Sequence, residues 1–200
     1  MTVQELFTLV LPRLKTVPRC SLMEAAAAVQ SIAFKHLFAM RSDLIQADYD
    51  VDFGADEPQA QLPDTFYAVA SRPEIVGGQT FLSQADRTKV LGLSAGTPRF
   101  YDLRGRLMTV YPTPVADVVI RVPSFVKPLA LESMDDDLPF DGYLDDVFAD
   151  CCVAYMSTGD AGPAEKGFAT LVVSQVDALL NARALNEEQA MADAINYGPR

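Results

Sequence analysis

The fold is decided by residues 96–114, which read GTPRFYDLRGRLMTVYPTP. Two short runs rich in aromatic and apolar residues, 99–103 and 107–111, are separated by the turn residues Arg104-Gly105. Glycine can take the positive φ that a two-residue hairpin turn requires. The two prolines at the end of the stretch interrupt the second run and fix a corner. This stretch therefore predicts an antiparallel β-hairpin.

The strand pattern continues on both sides of this hairpin. Upstream, apolar residues from Ile45 to Phe53 alternate with polar ones, which is the period of a half-buried strand. Downstream, Val118–Phe125 supplies another strand after the proline corner. We therefore predict that residues 44–138 form an inserted antiparallel β-meander.

Helical patterns flank the β region. Apolar residues recur at helical spacing over about 3–15, about 21–42, from about 139, and over about 164–183. Four such helices bury their apolar faces most economically against one another. The predicted fold class is therefore α+β, mainly a bundle of about four helices formed by residues 1–43 and 139–183 with the β-meander inserted. Its predicted core contains Phe34, Leu37, Leu144, Val147, Phe148, Phe168, Leu171 and Val172.

The charge balance and the missing motifs exclude several classes of function. The chain has 16 Lys and Arg against 27 Asp and Glu, a net charge of -11, so a basic nucleic-acid footprint is absent. The single histidine, His36, cannot supply a catalytic constellation alone, and a hydrogen-bonded structural role is expected for it. No window approaches the ~18 apolar residues of a membrane span. No catalytic residue, metal site or cofactor is predicted.

Several motifs, in their order along the chain, resemble the head-to-tail adaptor proteins of tailed bacteriophages, also called connector or tail tubular proteins. The similarity covers roughly residues 3–183, and its elements are an opening helical pair, Leu62-Pro63-Asp64-Thr65-Phe66, Gly96-Thr97-Pro98-Arg99-Phe100-Tyr101, Tyr111-Pro112-Thr113-Pro114 and Leu138-Pro139-Phe140. The resemblance implies a structural subunit without enzymatic activity. It further implies a dodecameric neck ring that joins the portal vertex of the capsid to the tail and continues the DNA channel.

The resemblance also implies partners and a location. The partners would be the portal protein, the tail nozzle or next neck-ring protein, and tail fibres, which attach near that junction in short-tailed phages. DNA would pass the ring without specific binding, and no membrane would be involved. Such a protein is made and assembled in the host cytoplasm and resides at the neck of the virion.

Two parts of the chain are candidate interaction sites. Residues 184–200 form a predicted docking segment with a narrow apolar stripe, and a partner groove would best explain this stripe. The resemblance indicates the portal as that partner, and the candidate interface residues are Leu185, Met191, Ile195, Tyr197 and Arg200. The second candidate is the tip of the hairpin, which would face the lumen or the tail; its residues are Arg104, Gly105 and Arg106.

Two alternatives remain open at this point. One is another virion assembly protein, such as a head-completion or tail-terminator protein. The other is a small metal-binding module or enzyme that uses the carboxylates between Asp135 and Asp150. For these carboxylates, acidic residues near a helix N-terminus are the more ordinary explanation, because the helix dipole favours them there.

Overall fold

The computed structural model describes residues 1–15, 17–18, 20–78, 80–86, 90, 92–140, 142–158 and 163–196. The chain forms two compact units. The helical unit comprises Met1–Leu37 and Pro128–Arg200, and the β unit comprises Phe38–Lys127. These units divide at residues 37 and 127, whereas the sequence patterns place the boundaries near 43 and 138.

Four α-helices occur within the described residues, and the α+β fold class is confirmed. They are α1 (Val3–Val10), α2 (Leu22–Ala39), α3 (Asp145–Thr158) and α4 (Pro163–Asn196). A 3-10 turn, Leu11–Arg13, follows α1 because Pro12 cannot continue the α-helical hydrogen bonding. None of the helices in the described part of the chain is both long enough and apolar enough to cross a bilayer.

Side chains and a neighbouring segment satisfy the first N–H groups of α1 and α2. A capping box is present at α2: the Ser21 N–H donates to Glu24 Oε2 at 2.8 Å, and the Glu24 N–H donates to Ser21 Oγ at 3.2 Å. At α1, the Val3 N–H donates to the Asp136 carbonyl at 2.9 Å, and the next amide donates to the Met134 carbonyl at 2.8 Å. The segment before α3 is therefore tied to the start of α1.

Two helix boundaries differ from the sequence prediction. The third helix begins at Asp145 and not near 139, because Phe140 (φ +73°) and Gly142 (φ +79°) lie in the left-handed region, which an α-helix excludes. The fourth helix does not end near 183, where the helical periodicity places its end. It continues to Asn196, since residues 168–197 contain neither glycine nor proline and are rich in strong helix formers.

The apolar side chains of the helical unit are buried as the helical periodicity predicts. Seven of the eight predicted core residues are buried, and the eighth, Leu171, is partly buried. The helix α3 contacts both α1 and α4. A hydrogen bond of 2.7 Å between His36 Nε2 and Asp177 Oδ1 joins α2 to α4, which confirms the structural role expected for the histidine.

Within its described residues, the β unit contains eight strands arranged in two sheets. They are β1 (Gln46–Phe53), β2 (Gln59–Gln61), β3 (Phe66–Val69), β4 (Glu74–Ile75), β5 (Ser83–Gln84), β6 (Phe100–Arg104), β7 (Leu107–Tyr111) and β8 (Val118–Val126). One sheet has the order β1-β8-β3, with β4 also pairing with β8. The other has the order β2-β7-β6-β5, in which β5 runs parallel to β6.

The two sheets share one hydrophobic core. Their strand order differs from that of the predicted meander, in which each strand would pair with the next one along the chain. Val51 and Phe53 from β1, Ile120 from β8, and Met108 and Val110 from β7 belong to a single buried cluster. After the β6–β7 hairpin the chain therefore leaves that sheet. The strand β8 enters the other sheet and pairs along its length with β1, from Gln46↔Phe125 to Phe53↔Val118.

A proline within the inner strand β8 is accommodated by an arginine. Pro123 accepts a hydrogen bond from the Ala70 N–H at 2.8 Å but has no N–H to return. Arg41 Nη2 donates instead to the Ala70 carbonyl at 2.6 Å. The Arg41 guanidinium also lies 5.3 Å above the ring of Phe125.

Candidate functional site

The predicted hairpin between β6 and β7 is present, but its turn lies one residue later than predicted. Arg104 pairs with Leu107, so the two turn residues are Gly105 and Arg106. Gly105 has φ +62° and occupies the first central position, where a type II′ turn carries glycine. A Cβ added at this glycine would meet no atom within 4 Å, so its backbone conformation, rather than crowding, restricts substitution here.

The two arginines at this tip are in different environments. Arg104 is 70% exposed, and its Nε lies 3.4 Å from Asp102 Oδ2. Arg106 forms an ion pair with Asp64, and its carbonyl accepts the Leu62 N–H at 2.8 Å. The arginine with the more exposed charge is therefore Arg104, while Arg106 holds the turn against the Leu62 segment.

The Leu-Pro motif at 62–66 fastens the hairpin to the other sheet. Leu62 and Phe66 are buried in the β core, and the Phe66 N–H donates to the Pro63 carbonyl at 3.0 Å to close the turn. The Thr65 carbonyl accepts the Lys127 N–H at 2.8 Å, and the Thr65 hydroxyl lies 2.7 Å from the hydroxyl of Tyr49. The motif is thus a structural anchor of the hairpin.

The Tyr-Pro-Xaa-Pro motif forms the corner at the other end of the hairpin. The Tyr111-Pro112 peptide bond is cis. The Arg99 N–H donates to the Tyr111 carbonyl, and the Gly96 N–H donates to the Thr113 carbonyl, each at 2.8 Å. The Gly-Xaa-Pro segment and the Tyr-Pro-Xaa-Pro segment, which flank the same hairpin, are therefore hydrogen-bonded neighbours.

The candidate docking segment lies at the end of α4. Every residue described from Ala184 to Gln189 is exposed, and Leu185 exposes 66% of its surface. For Met191 and Ile195 only the helical backbone is described, and Tyr197 and Arg200 lie outside the described residues. This part of α4 is therefore a helix whose side chains, where described, contact solvent.

A shallow apolar groove lies beside this exposed helix. It has a volume of about 430 Å³, and Tyr143, Leu179 and Ala182 line it. The Arg183 guanidinium lies 5.3 Å from the centre of the Tyr143 ring, and Arg183 Nε donates to Glu187 Oε1 at 2.8 Å. The groove thus offers a partner apolar surface together with one aromatic ring.

Asp136 and Asp150, two of the carboxylates between residues 135 and 150, have structural partners. Asp136 Oδ2 accepts the backbone N–H groups of Glu132 and Ser133 at 2.7 and 2.8 Å, and these hydrogen bonds lower the pKa of Asp136. Asp150 pairs with Arg13 at 2.6 Å. Within the described residues, no group of three or more His, Cys, Asp or Glu side chains could hold a metal ion.

The thiols of α3 are poor nucleophiles. Burial raises the pKa of Cys151 to about 11 and that of Cys152 to about 12. A thiol reacts as its thiolate, so neither group is activated at neutral pH. Cysteine chemistry therefore gives no support to the enzyme alternative.

Sequence patterns missed an ion pair on the outer face of the first sheet. Asp50 lies directly opposite Arg121, whose Nε and Nη2 donate to its two carboxylate oxygens at 2.8 and 3.0 Å. These hydrogen bonds hold the pKa of Asp50 below its usual value. This pair could have been predicted only from the register of β1 against β8, two strands whose paired residues lie some 70 positions apart in the sequence.

Comparison with known proteins identifies a family for the chain. The family model described as SU10 adaptor protein matches residues 1–198, which is almost the whole chain. No curated protein matches the chain. This full-length match agrees with the order of the Leu-Pro, Gly-Xaa-Pro and Tyr-Pro-Xaa-Pro elements, which the structure shows to be anchors and corners of one β unit. The chain therefore belongs to the SU10 adaptor protein family, a family of phage head–tail adaptor proteins.

Proposed function

We propose that this adaptor is a subunit of a dodecameric neck ring that joins the portal vertex to the tail and continues the DNA channel. The observation that carries the proposal is the end of α4, a helix that remains regular while its described side chains are exposed. An exposed helix end of this kind presents its side chains to a partner surface, as in helix-in-groove recognition. Its 34 residues correspond to about 51 Å, which is enough to extend from a bundle into a neighbouring protein.

The portal is the proposed partner of this helix. Leu185 presents an apolar side chain on it, and the groove beside Tyr143 adds apolar surface to the same region. Helix-in-groove recognition uses such apolar anchors at helical spacing. We propose that residues 184–200 dock on the portal, with Leu185, Met191, Ile195, Tyr197 and Arg200 as the contacting residues.

The tail nozzle or next neck-ring protein is the proposed partner of the β6–β7 hairpin. Its tip carries Arg104, which is largely exposed, while Arg106 and Gly105 keep the turn in its conformation. In this arrangement, tail fibres would attach near the same junction.

The acidic surface supports passage of DNA without specific binding. Asp48 and Asp52 lie exposed along the face of β1 on which Asp50 pairs with Arg121, and the whole chain carries a net charge of -11. Such a surface repels phosphate at long range. A channel lined by it would guide DNA without retaining it.

Mass photometry of the chain with and without its portal protein tests ring formation. We expect a monomer or weak associate alone and a ring on the portal. Twelve copies of a 21.8 kDa chain would add about 260 kDa to the portal. A tight isolated dimer that ignores the portal would contradict the proposal.

A truncation tests the docking segment separately. Removal of residues 184–200 should leave the melting temperature nearly unchanged, because the described side chains at the start of the segment lie outside the core, but it should abolish stable portal binding. A finer comparison uses Leu185→Asp and the matched control Leu129→Asp, since both leucines are highly exposed in the helical unit. Only the first should weaken portal binding, and unfolding of the truncated chain would place the segment in the core instead.

A further inference from the structure

An open groove runs along an edge strand of the β unit. All four residues of β3 line this edge groove, Tyr101 and Leu103 of β6 also line it, and its volume is about 480 Å³. That volume falls within the range of roughly 300–1,000 Å³ typical of ligand sites. The edge groove therefore lies where strands of the two sheets approach each other.

The backbone of β3 directs hydrogen-bonding groups into this space. The strand β3 ends the order β1-β8-β3, so β8 covers only one of its edges. The Ala70 N–H donates to β8 at Pro123, and Ala68 pairs with Phe125. Because residues alternate in an antiparallel ladder, the N–H and C=O of Val69 point away from β8.

The strand β6 also has an edge that its neighbour leaves open. The carbonyls of Arg99 and Tyr101 accept hydrogen bonds from the Ser83 and Ala85 N–H groups, on the side away from β7. Leu103 follows Tyr101 by two residues, so its backbone N–H and C=O also point away from β7. The pairing of β5 with β6, however, stops at Tyr101. The half of β6 nearest the hairpin tip therefore has no strand pairing on that side within the described strands.

The lining side chains indicate what kind of segment would fit. Phe66 and Val69 on one strand, with Tyr101 and Leu103 on the other, supply aromatic and aliphatic surface. Arg72 is the charged residue among those that line the edge groove, and it is exposed. Its guanidinium complements a carboxylate, which it can bind through two parallel hydrogen bonds.

We propose that the edge groove binds an extended peptide segment of a partner protein, which adds a strand to β3 and places an acidic side chain opposite Arg72. Backbone hydrogen bonds would supply affinity in such strand addition, and the alternating side chains would supply specificity. The four residues of β3 give a pairing length of about 13 Å.

The test uses a fluorescein-labelled hexapeptide of alternating valine and glutamate, blocked at both ends, and fluorescence anisotropy with the full chain. We expect saturable binding, and we expect a peptide N-methylated at every residue to bind at least about tenfold more weakly, because it cannot donate backbone hydrogen bonds. No saturation at millimolar peptide, or equal binding of the methylated peptide, would overturn the proposal.

Matched variants test the charge. Arg72→Gln should weaken binding of the glutamate peptide about fivefold, as expected for one exposed ion pair, and should leave a valine–glutamine peptide unaffected. Arg99→Gln, which removes an exposed arginine that does not line the edge groove, should change neither. Equal effects of the two substitutions would refute the role of Arg72. If the peptide instead dissociates a self-associated form of the chain in sedimentation velocity, the occupant is a second copy and the proposed partner is wrong.

Discussion

Replacement of Phe148 by alanine tests the packing of the helical unit most directly. Phe148 lies on α3 with no exposed surface, and its ring centre is 6.3 Å from that of Phe140. The substitution removes roughly 100 Å² of buried apolar surface, which at about 25 cal/mol per Å² corresponds to about 2.5 kcal/mol. The cavity that remains after partial relaxation adds roughly 1–2 kcal/mol. We therefore expect a loss of about 3–5 kcal/mol in the free energy of unfolding.

Urea denaturation followed by circular dichroism at 222 nm measures this loss. For a chain of this size, each kcal/mol lowers the melting temperature by about 2–4 °C, so a fall of roughly 6–20 °C should accompany it. Phe81→Ala is the matched control, because Phe81 is 57% exposed and its truncation should cost about 1 kcal/mol or less. A loss below about 1 kcal/mol for Phe148→Ala would show that the apolar stripe of α3 does not form the core.

At the hairpin, Gly105→Val should destabilise the β unit by about 1–3 kcal/mol, because a β-branched residue is strained at φ +62°; an unchanged urea midpoint would refute this. Arg104→Glu should leave the melting temperature unchanged but impair tail attachment, and normal infectivity of a phage carrying it would remove the functional half of that prediction. Because Arg121 lowers the pKa of Asp50, the stabilisation from this pair is present above the usual pKa of an aspartate, about 4, and is lost as the pH falls through the lowered value. Asp50→Asn should therefore reduce stability at pH 7 and reduce it progressively less as the pH falls below about 4, and a pH-independent effect would contradict the assignment. Cys152 should react with iodoacetamide at least about a hundredfold more slowly in the native chain than in urea, as measured by mass spectrometry, since burial raises its pKa to about 12; equal rates would show that the thiol is accessible.

Local patterns predicted the elements whose geometry is set by neighbouring residues. The capping box at Ser21 and Glu24 marks the start of α2 because both hydrogen bonds lie within three residues. The alternation in β1 and the glycine at 105 identify a half-buried strand and a hairpin for the same reason. The placement of the turn was wrong by one residue, since Arg104 and Arg106 flank the glycine symmetrically and composition does not distinguish them.

Features that depend on distant pairing could not be predicted. The transfer of β8 to the other sheet follows from its register with β1, and nothing in the sequence around residues 118–126 encodes that partner. The edge groove arises from the same arrangement, because it requires β3 and β6 to approach each other. The continuity of α4 could have been predicted from the absence of glycine and proline between residues 168 and 197. The family assignment was predicted from the motifs and is confirmed.

The insertion of the β unit between the two parts of the helical unit has a consequence for how the protein is made. Ribosomes add about 5–20 residues per second, so the 90 residues from Phe38 to Lys127 occupy roughly 5–20 s. During this interval α1 and most of α2 have been synthesised, but α3 and α4, which complete their unit, have not. The β unit is therefore the first to have its complete sequence available for folding. Until α3 and α4 follow, the apolar faces of the first two helices lack their native partners and are exposed on the growing chain.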